Sequence, residues 1–293
     1  MRRRRRRTGG TFFIIALLVL IFALVYTFAG GWISPFWNRA PVPGNNEIFV
    51  TFLDVGQGDS ILLRSATNAV LIDGGEHRER QVVINYLRRA GIRRLDYVVA
   101  THPHSDHIGG LIAVLGQFDV GRVLMPDATH NTTPFENFLE AIENNEIPVT
   151  HPAPGDRFRA GIIDLMAVAP IPGHHENLNN ASIVLRMNHG ATSFLFTGDA
   201  ERLSEEYMLA GGLTLRSNVL KVGHHGSRTS TSAEFLDAIN PTIAVISAGA
   251  DNQFGHPHPE VLELLESRGV QVYRTDLHGT IRMVTNGQTI YRN

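Results

Sequence analysis

Residues 101–110 read Thr101-His102-Pro103-His104-Ser105-Asp106-His107-Ile108-Gly109-Gly110, directly after the apolar run Tyr97-Val98-Val99-Ala100. Three imidazoles and a carboxylate therefore lie within six residues at the mouth of a predicted strand. That density points to a metal. In extended backbone, residues two apart project the same way, so His102 and His104 can close on one ion from the strand end. Asp106 and His107 cannot face that same point and suit a second ion. Ile108-Gly109-Gly110-Leu111 is then expected to turn into a helix, its glycines letting backbone come close to the metals.

Working outward, residues 47–54 alternate as a half-buried strand, and 60–64 and 69–73 read as two more. Val55-Gly56-Gln57-Gly58-Asp59 between the first two reads as a hairpin turn, with Asp59 a turn residue. Asp73-Gly74-Gly75 ends the third strand, and residues 80–90 show helical spacing before the metal-bearing strand. Strand, helix, strand and liganded loop make an α/β arrangement with its site at the carboxyl ends of strands. Beyond it, residues 121–126 predict a short strand, 134–144 a helix, and 147–169 further strands. His174 and His175 sit in a polar stretch without a carboxylate at ligand spacing and read as a solvated loop. Residues 182–187 and 192–197 predict a hairpin ending in Gly198-Asp199-Ala200-Glu201, where Asp199 suits either a helix cap or a ligand. Strand 218–222 runs into Gly223-His224-His225-Gly226-Ser227, repeating the pattern of the first motif. Strand 242–249, Gly255-His256-Pro257-His258-Pro259, helix 260–268 and strands 271–274 and 280–284 complete the chain. No internal repeat interrupts residues 47–293, which read as one domain.

The N-terminus is of another kind. Arg2 to Arg7 form a basic head at residues 1–10, and residues 11–29 are uncharged and about one bilayer long as a helix. The expectation is a single transmembrane helix that keeps the arginines in the cytoplasm and sends the rest across the membrane; cleavage as a signal peptide, giving a secreted domain, is the alternative. Residues 30–46, with Pro35, Pro41, Pro43 and Gly44, read as a linker, and Trp32 and Trp37 suit the membrane interface. The absence of cysteine agrees with an exported domain built without disulfides. Setting aside Arg2 to Arg7 leaves 20 basic against 28 acidic residues, a net of −8, which excludes a domain that attracts nucleic acid by its overall charge.

Taken together, residues 52–60, 71–75, 101–110, 197–199, 220–227 and 255–259 resemble the metallo-β-lactamase domain of ComEC-type DNA-internalisation (competence) proteins, over essentially residues 47–293. The resemblance implies a four-layer αββα sandwich with two divalent ions, Zn or Mn, at one edge, and no organic cofactor. By motif, His102 and His104 would hold the first ion, Asp106 and His107 the second, Asp199 would bridge, and His225 would complete the second site. The superfamily often supplies another His where this chain has Asn179-Asn180-Ala181-Ser182, so Asn180 or water would fill that place. With a single spanning segment, the chain would not itself be the DNA channel.

Such a ligand set implies hydrolysis. Two ions acidify water and clamp phosphodiester oxygens. Asp106 would orient the attacking water, and the non-ligand histidine of the 224–225 pair, or His256, would protonate the leaving group or bind phosphate. Asn180, Ser227 and His256 are expected at the substrate, with Asp59 and Asp73 in loops beside the site. The function expected is a membrane-anchored phosphodiesterase, most simply a nuclease acting on DNA or RNA outside the cytoplasm. The alternatives are a hydrolase of a lactam, thioester or cell-wall phosphodiester, or a non-catalytic DNA-uptake module.

Overall fold

The computed structural model describes residues 41–170, 173 and 176–293. The basic head, the apolar segment 11–29, most of the linker with its two tryptophans, and the His174-His175 pair lie outside the described residues. Residues 42–88 and 92–293 make one compact unit.

The chain opens with β1 (Ile48–Phe52), β2 (Ile61–Arg64) and β3 (Ala69–Ile72), an antiparallel meander. Next come α1 (Arg80–Arg89), β4 (Arg94–Leu95), β5 (Tyr97–Val99), α2 (Ser105–Ile108), α3 (Leu111–Leu115), β6 (Asp119–Val120), β7 (Val123–Leu124), α4 (Thr133–Asn144) and β8 (Val149–Thr150). The second half runs β9 (Arg157–Ala160), β10 (Ile163–Ala169), β11 (Val184–His189), β12 (Thr192–Phe196), α5 (Arg202–Ala210), β13 (Val219–Lys221), α6 (Ala233–Ile239) and β14 (Ile243–Ile246). It closes with α7 (Pro259–Ser267), β15 (Gln271–Arg274), α8 (Thr275–His278), β16 (Ile281–Thr285) and β17 (Ile290–Arg292). The short pair β4 and β6, and β17, carry too little periodicity to stand out in the sequence.

Two large sheets result, of eight strands (β17-β16-β1-β2-β3-β5-β7-β8) and seven (β15-β14-β13-β12-β11-β10-β9), with β4 and β6 paired apart from both. Alternation decides their packing, because successive side chains leave a strand on opposite faces. Ile48, Val50, Phe52, Ile61, Leu63, Val70 and Ile72 turn inward and meet Leu165, Leu185, Met187, Phe194 and Phe196 of the other sheet. Across that seam the rings of Phe52 and Phe196 lie 6.3 Å apart; truncating either to alanine costs about 3–5 kcal/mol. The opposite face of the second sheet, with Leu195, Leu220, Ala244 and Ile246, packs on Met208 of α5, Phe235 and Leu236 of α6 and Leu265 of α7. On the outer face of the first sheet, Tyr86 of α1 lies 3.3 Å from the Thr51 hydroxyl and accepts from Arg282 at 3.0 Å. Helices therefore cover both sheets, in the αββα layering expected.

The parallel pairings β3 with β5, and β12 through β15, align several strand ends at one edge. Asp73 follows β3, His102 follows β5, Asp199 follows β12, His225 follows β13 and Ser247 follows β14. The chemistry gathers there.

Candidate metal centre

Helix α2 begins at Ser105, so Asp106 and His107 stand in its first turn rather than before a helix nucleated at the glycines. Gly109 and Gly110 are required by a different close approach. A Cβ on Gly110 would stand 1.9 Å from the Gly74 carbonyl oxygen, and one on Gly109 2.4 Å from the His77 nitrogen; these glycines let the 73–77 loop pack on α2. Gly58 does the same from the other side, where a Cβ would stand 2.4 Å from the Asp106 carbonyl oxygen. The Asp59 N–H donates to that oxygen at 3.2 Å. The 55–59 segment is thus a support of the site as well as a link between β1 and β2.

Asp106, His107, Asp199 and His225 each offer one ligand atom, and these atoms all lie within 4.8 Å of one another. Asp199 is central. Its Oδ2 lies 3.2 Å from His107 Nε2, 3.4 Å from His225 Nε2, and 3.8 Å from both His102 Nε2 and His224 Nε2. Asp106 Oδ2 lies 3.2 Å from His225 Nε2 and 3.7 Å from His107 Nε2. His102 Nε2 is 2.9 Å from His104 Nδ1. Four of the six residues expected as ligands thus share one space, and His102 with its neighbour His104 adjoins it.

The hydrogen bonds behind the cluster decide which nitrogens face it. His107 Nδ1 lies 2.8 Å from Asp73 Oδ2 and donates to it; His225 Nδ1 donates to the Ser247 carbonyl at 2.9 Å. Both neutral rings then aim an Nε2 lone pair at carboxylate oxygens. His107 Nε2 is buried without a hydrogen-bond partner, as is Asp199 Oδ1. Acceptors facing acceptors in a buried space need a cation between them. Protons can supply the charge. Burial pushes His225 down, but the Asp199 and Asp106 carboxylates outweigh it and carry the ring up to about 10. His107 behaves alike: burial opposes its charged form, and Asp199, Asp106 and Asp73 raise it well above the usual value. Burial first, and then the neighbouring His107, lower His102 and His104, leaving them neutral as a ligand must be. The residues fit a divalent metal, and the donor set of nitrogen and oxygen without thiolate fits a hard or borderline ion.

Other expected residues fall elsewhere. The Asn180 carboxamide oxygen, expected as a stand-in ligand, is engaged elsewhere: it accepts from Glu201 N–H at 3.2 Å and Ser204 N–H at 3.1 Å, capping α5 from a neighbouring loop. Asp199 consequently does not serve as that helix's cap. Ser227, also expected at the substrate, is buried, and its hydroxyl accepts from Thr229 N–H at 3.3 Å, closing a turn. His256 borders the cluster, its ring 5.4 Å from that of His224, but burial and then the neighbouring His225 and His224 lower it to about 4. It is held neutral, which suits a hydrogen-bond donor and not an imidazolium acid. His224 fits the acid's place better, since its Nδ1 lies 3.1 Å from Glu201 Oε1, a dyad that sequence reading missed. His224 and His225 both take left-handed backbone, φ 48° and 54°, a strain of about 1–3 kcal/mol each that the flanking strand and Gly226 must hold. Two further residues were missed: His130, whose ring centroid lies 5.5 Å from that of His104, and Lys221, fully buried beneath Asp199.

Known proteins share this chain's pattern. Residues 53–250 match the Metallo-beta-lactamase superfamily. The chain is 34% identical over 256 residues to ComE operon protein 3 of Bacillus subtilis (strain 168), covering 81% of this chain and 33% of that protein. It is 34% identical over 239 residues to Competence protein ComA of Neisseria gonorrhoeae, covering 81% and 32%. The chain thus spans about a third of the length of these relatives. Among solved structures, the metallo-beta-lactamase fold protein YhfI from Bacillus subtilis superposes with a TM-score of 0.55 at 11% identity, over 84% of this chain and 100% of that one. That last likeness is one of fold alone.

Proposed function

The chain belongs to the metallo-beta-lactamase superfamily, and from that premise we propose that it is a membrane-anchored, extracytoplasmic phosphodiesterase that uses two divalent ions, Zn or Mn, and cleaves nucleic acid. The observation that carries this reading is the buried Asp199 oxygen faced by four imidazole nitrogens, beside a groove of about 800 Å³ with Asp106 on its wall. Relatedness to competence proteins favours DNA among the substrates such a site could take. His102, His104 and Asp199 would hold one ion; Asp106, His107, His225 and Asp199 would hold the other. Ions held there would supply an acidified water and positive charge for the oxygens of a phosphodiester.

The chain's own groups do the rest. Asp106 is ionised, its charge favoured over burial by His107 and His225, and from the groove wall it orients the attacking water. Glu201 holds His224 by Nδ1, leaving Nε2 as the end that hands a proton to the leaving oxygen. His256 offers a neutral N–H. The groove itself carries Asp54, Glu76, Asp106 and Asp251 against Arg78, so ions held at the cluster would have to supply the positive charge that admits a polyanion. Exposed Phe254 on the same wall gives a base a face to stack on.

Residues 47–293, loaded with Mn or Zn, should hydrolyse bis-para-nitrophenyl phosphate and nick plasmid DNA while leaving nitrocefin intact. Turnover of nitrocefin alone would replace the phosphodiester with a lactam, and inertness toward all three would leave a binding module. The topology rests on the six arginines and the apolar segment after them. A reporter fused after Asn293 should be active only outside the cytoplasm, and cytoplasmic activity would reverse the assignment.

A further inference from the structure

Strand β13 alternates Val219 inward, Leu220 outward, Lys221 inward, so the lysine enters the space between the sheets. Its side chain is fully buried. The ammonium pairs with Asp59 Oδ2, donates to the Gly198 carbonyl at 2.9 Å, and lies 3.8 Å from Asp199 Oδ1. A lysine in the interior needs a reason, because an ammonium leaves water at high cost.

The reason lies in a second group of ligand atoms under the first. Asp59, Asp73 and His107 are all buried and offer atoms within 4.8 Å of one another, the geometry of a metal site. His107 is shared between the two groups: Nδ1 lies 2.8 Å from Asp73 and 3.9 Å from Asp59, while Nε2 faces Asp199. A neutral imidazole has one lone pair. An ion held below through Nδ1 would send the ring's proton to Nε2 and take the lone pair away from the upper cluster.

We propose that Lys221 is the cation that closes the lower group: its ammonium takes the Asp59 carboxylate, one of that group's three ligands, so that divalent ions load only above and His107 keeps Nε2 for them. The lysine then determines how many ions the chain takes up. This rests on the metal-centre reading but not on the substrate.

The test counts ions. Full-length wild type, Lys221→Ala and Lys221→Ala/Asp59→Asn are stripped with chelator, loaded with Mn(II), desalted and measured by elemental analysis and native mass spectrometry. Lys221→Ala should hold one ion per chain more than wild type, because truncation frees the Asp59 carboxylate to join Asp73 and His107 as a ligand. Removing Asp59's charge in the double variant should return the number to that of wild type. Where Lys221→Ala folds poorly without metal, Mn(II) should raise its melting temperature more than it raises that of the double variant. Equal ion counts in wild type and Lys221→Ala, or equal thermal responses in the two variants, would overturn the proposal. Absence of ions from all three proteins would overturn it together with the metal-centre reading, whereas normal uptake by wild type without the gain removes only the role given to Lys221.

Discussion

Replacing Asp73 by asparagine tests whether the hydrogen bonds behind the cluster set its ligands. Asp73 is fully buried; Oδ1 accepts from Thr101 N–H at 2.8 Å, and Oδ2 meets both the Thr101 hydroxyl and His107 Nδ1 at 2.8 Å. Asparagine keeps the shape and the acceptor for Thr101 N–H, and the threonine hydroxyl can turn to accept from the new NH2. His107 cannot keep a proton on Nδ1 opposite that NH2. The proton moves to Nε2, where the lone pair stood, and one imidazole is lost to the metal without any residue leaving the cluster. Losing such an outer partner costs about 10–100-fold in metal affinity, or about 1.4–2.7 kcal/mol at 1.36 kcal/mol per tenfold. Asp73→Ala should differ in kind: it strands the Thr101 N–H and His107 Nδ1–H in the interior, at about 1–3 kcal/mol each, and so lowers stability as well. Calorimetric titration with Mn or Zn, beside thermal unfolding without metal, separates the two effects. Wild-type affinity in Asp73→Asn, or equal destabilisation by asparagine and alanine, would refute the reasoning.

Asp106→Asn should abolish turnover with little change in melting temperature, since the carboxylate faces the groove and carries little packing; hydrolysis at the wild-type rate would remove it from the mechanism. Asn180→His should lower the melting temperature by the loss of a tertiary helix cap, about 1 kcal/mol, and leave metal affinity unchanged; tighter binding in a titration would show that position 180 faces the ions after all. Loading should release protons, because His225 is raised to about 10 and an ion must displace what it carries. The apparent affinity should therefore fall as pH is lowered from 9 to 6, about tenfold per unit for each proton displaced, and a flat profile would contradict the tautomers assigned here. The same shift sets the sign for stability: the folded value exceeds the unfolded one, so the contribution of His225 is complete below about 6.5 and lost as pH rises through about 10. Metal-free protein should thus lose melting temperature over that window more than metal-loaded protein does; parallel curves would show that His225 is not so coupled.

What the sequence determined by itself was whatever its local order encodes. Four ligands within residues 102–107, and the two further ligand loops placed directly after apolar runs, could be read because a strand end presents its next few residues in a fixed direction. Alternation marked β1 as a strand, though it is buried on both faces rather than one, and helical spacing marked α1, because side-chain direction follows the period of the backbone. Tertiary structure alone decided which polar atom satisfies which. Asp59 looked like a turn residue because its partner, Lys221, lies on the other sheet; the alternation of residues 219–221 turned that lysine inward but could not say what charge awaited it. Asn180 stood where a ligand was expected, yet its oxygen goes to α5 because the 178–181 turn packs against that helix's first residues. The tautomers of His107 and His225 follow from Asp73 and the Ser247 carbonyl, which arrive from separate strands. Backbone periodicity is a property of neighbours along the chain, whereas the partner of a buried proton or charge is set by whichever distant loop folding brings within 3 Å or so of it.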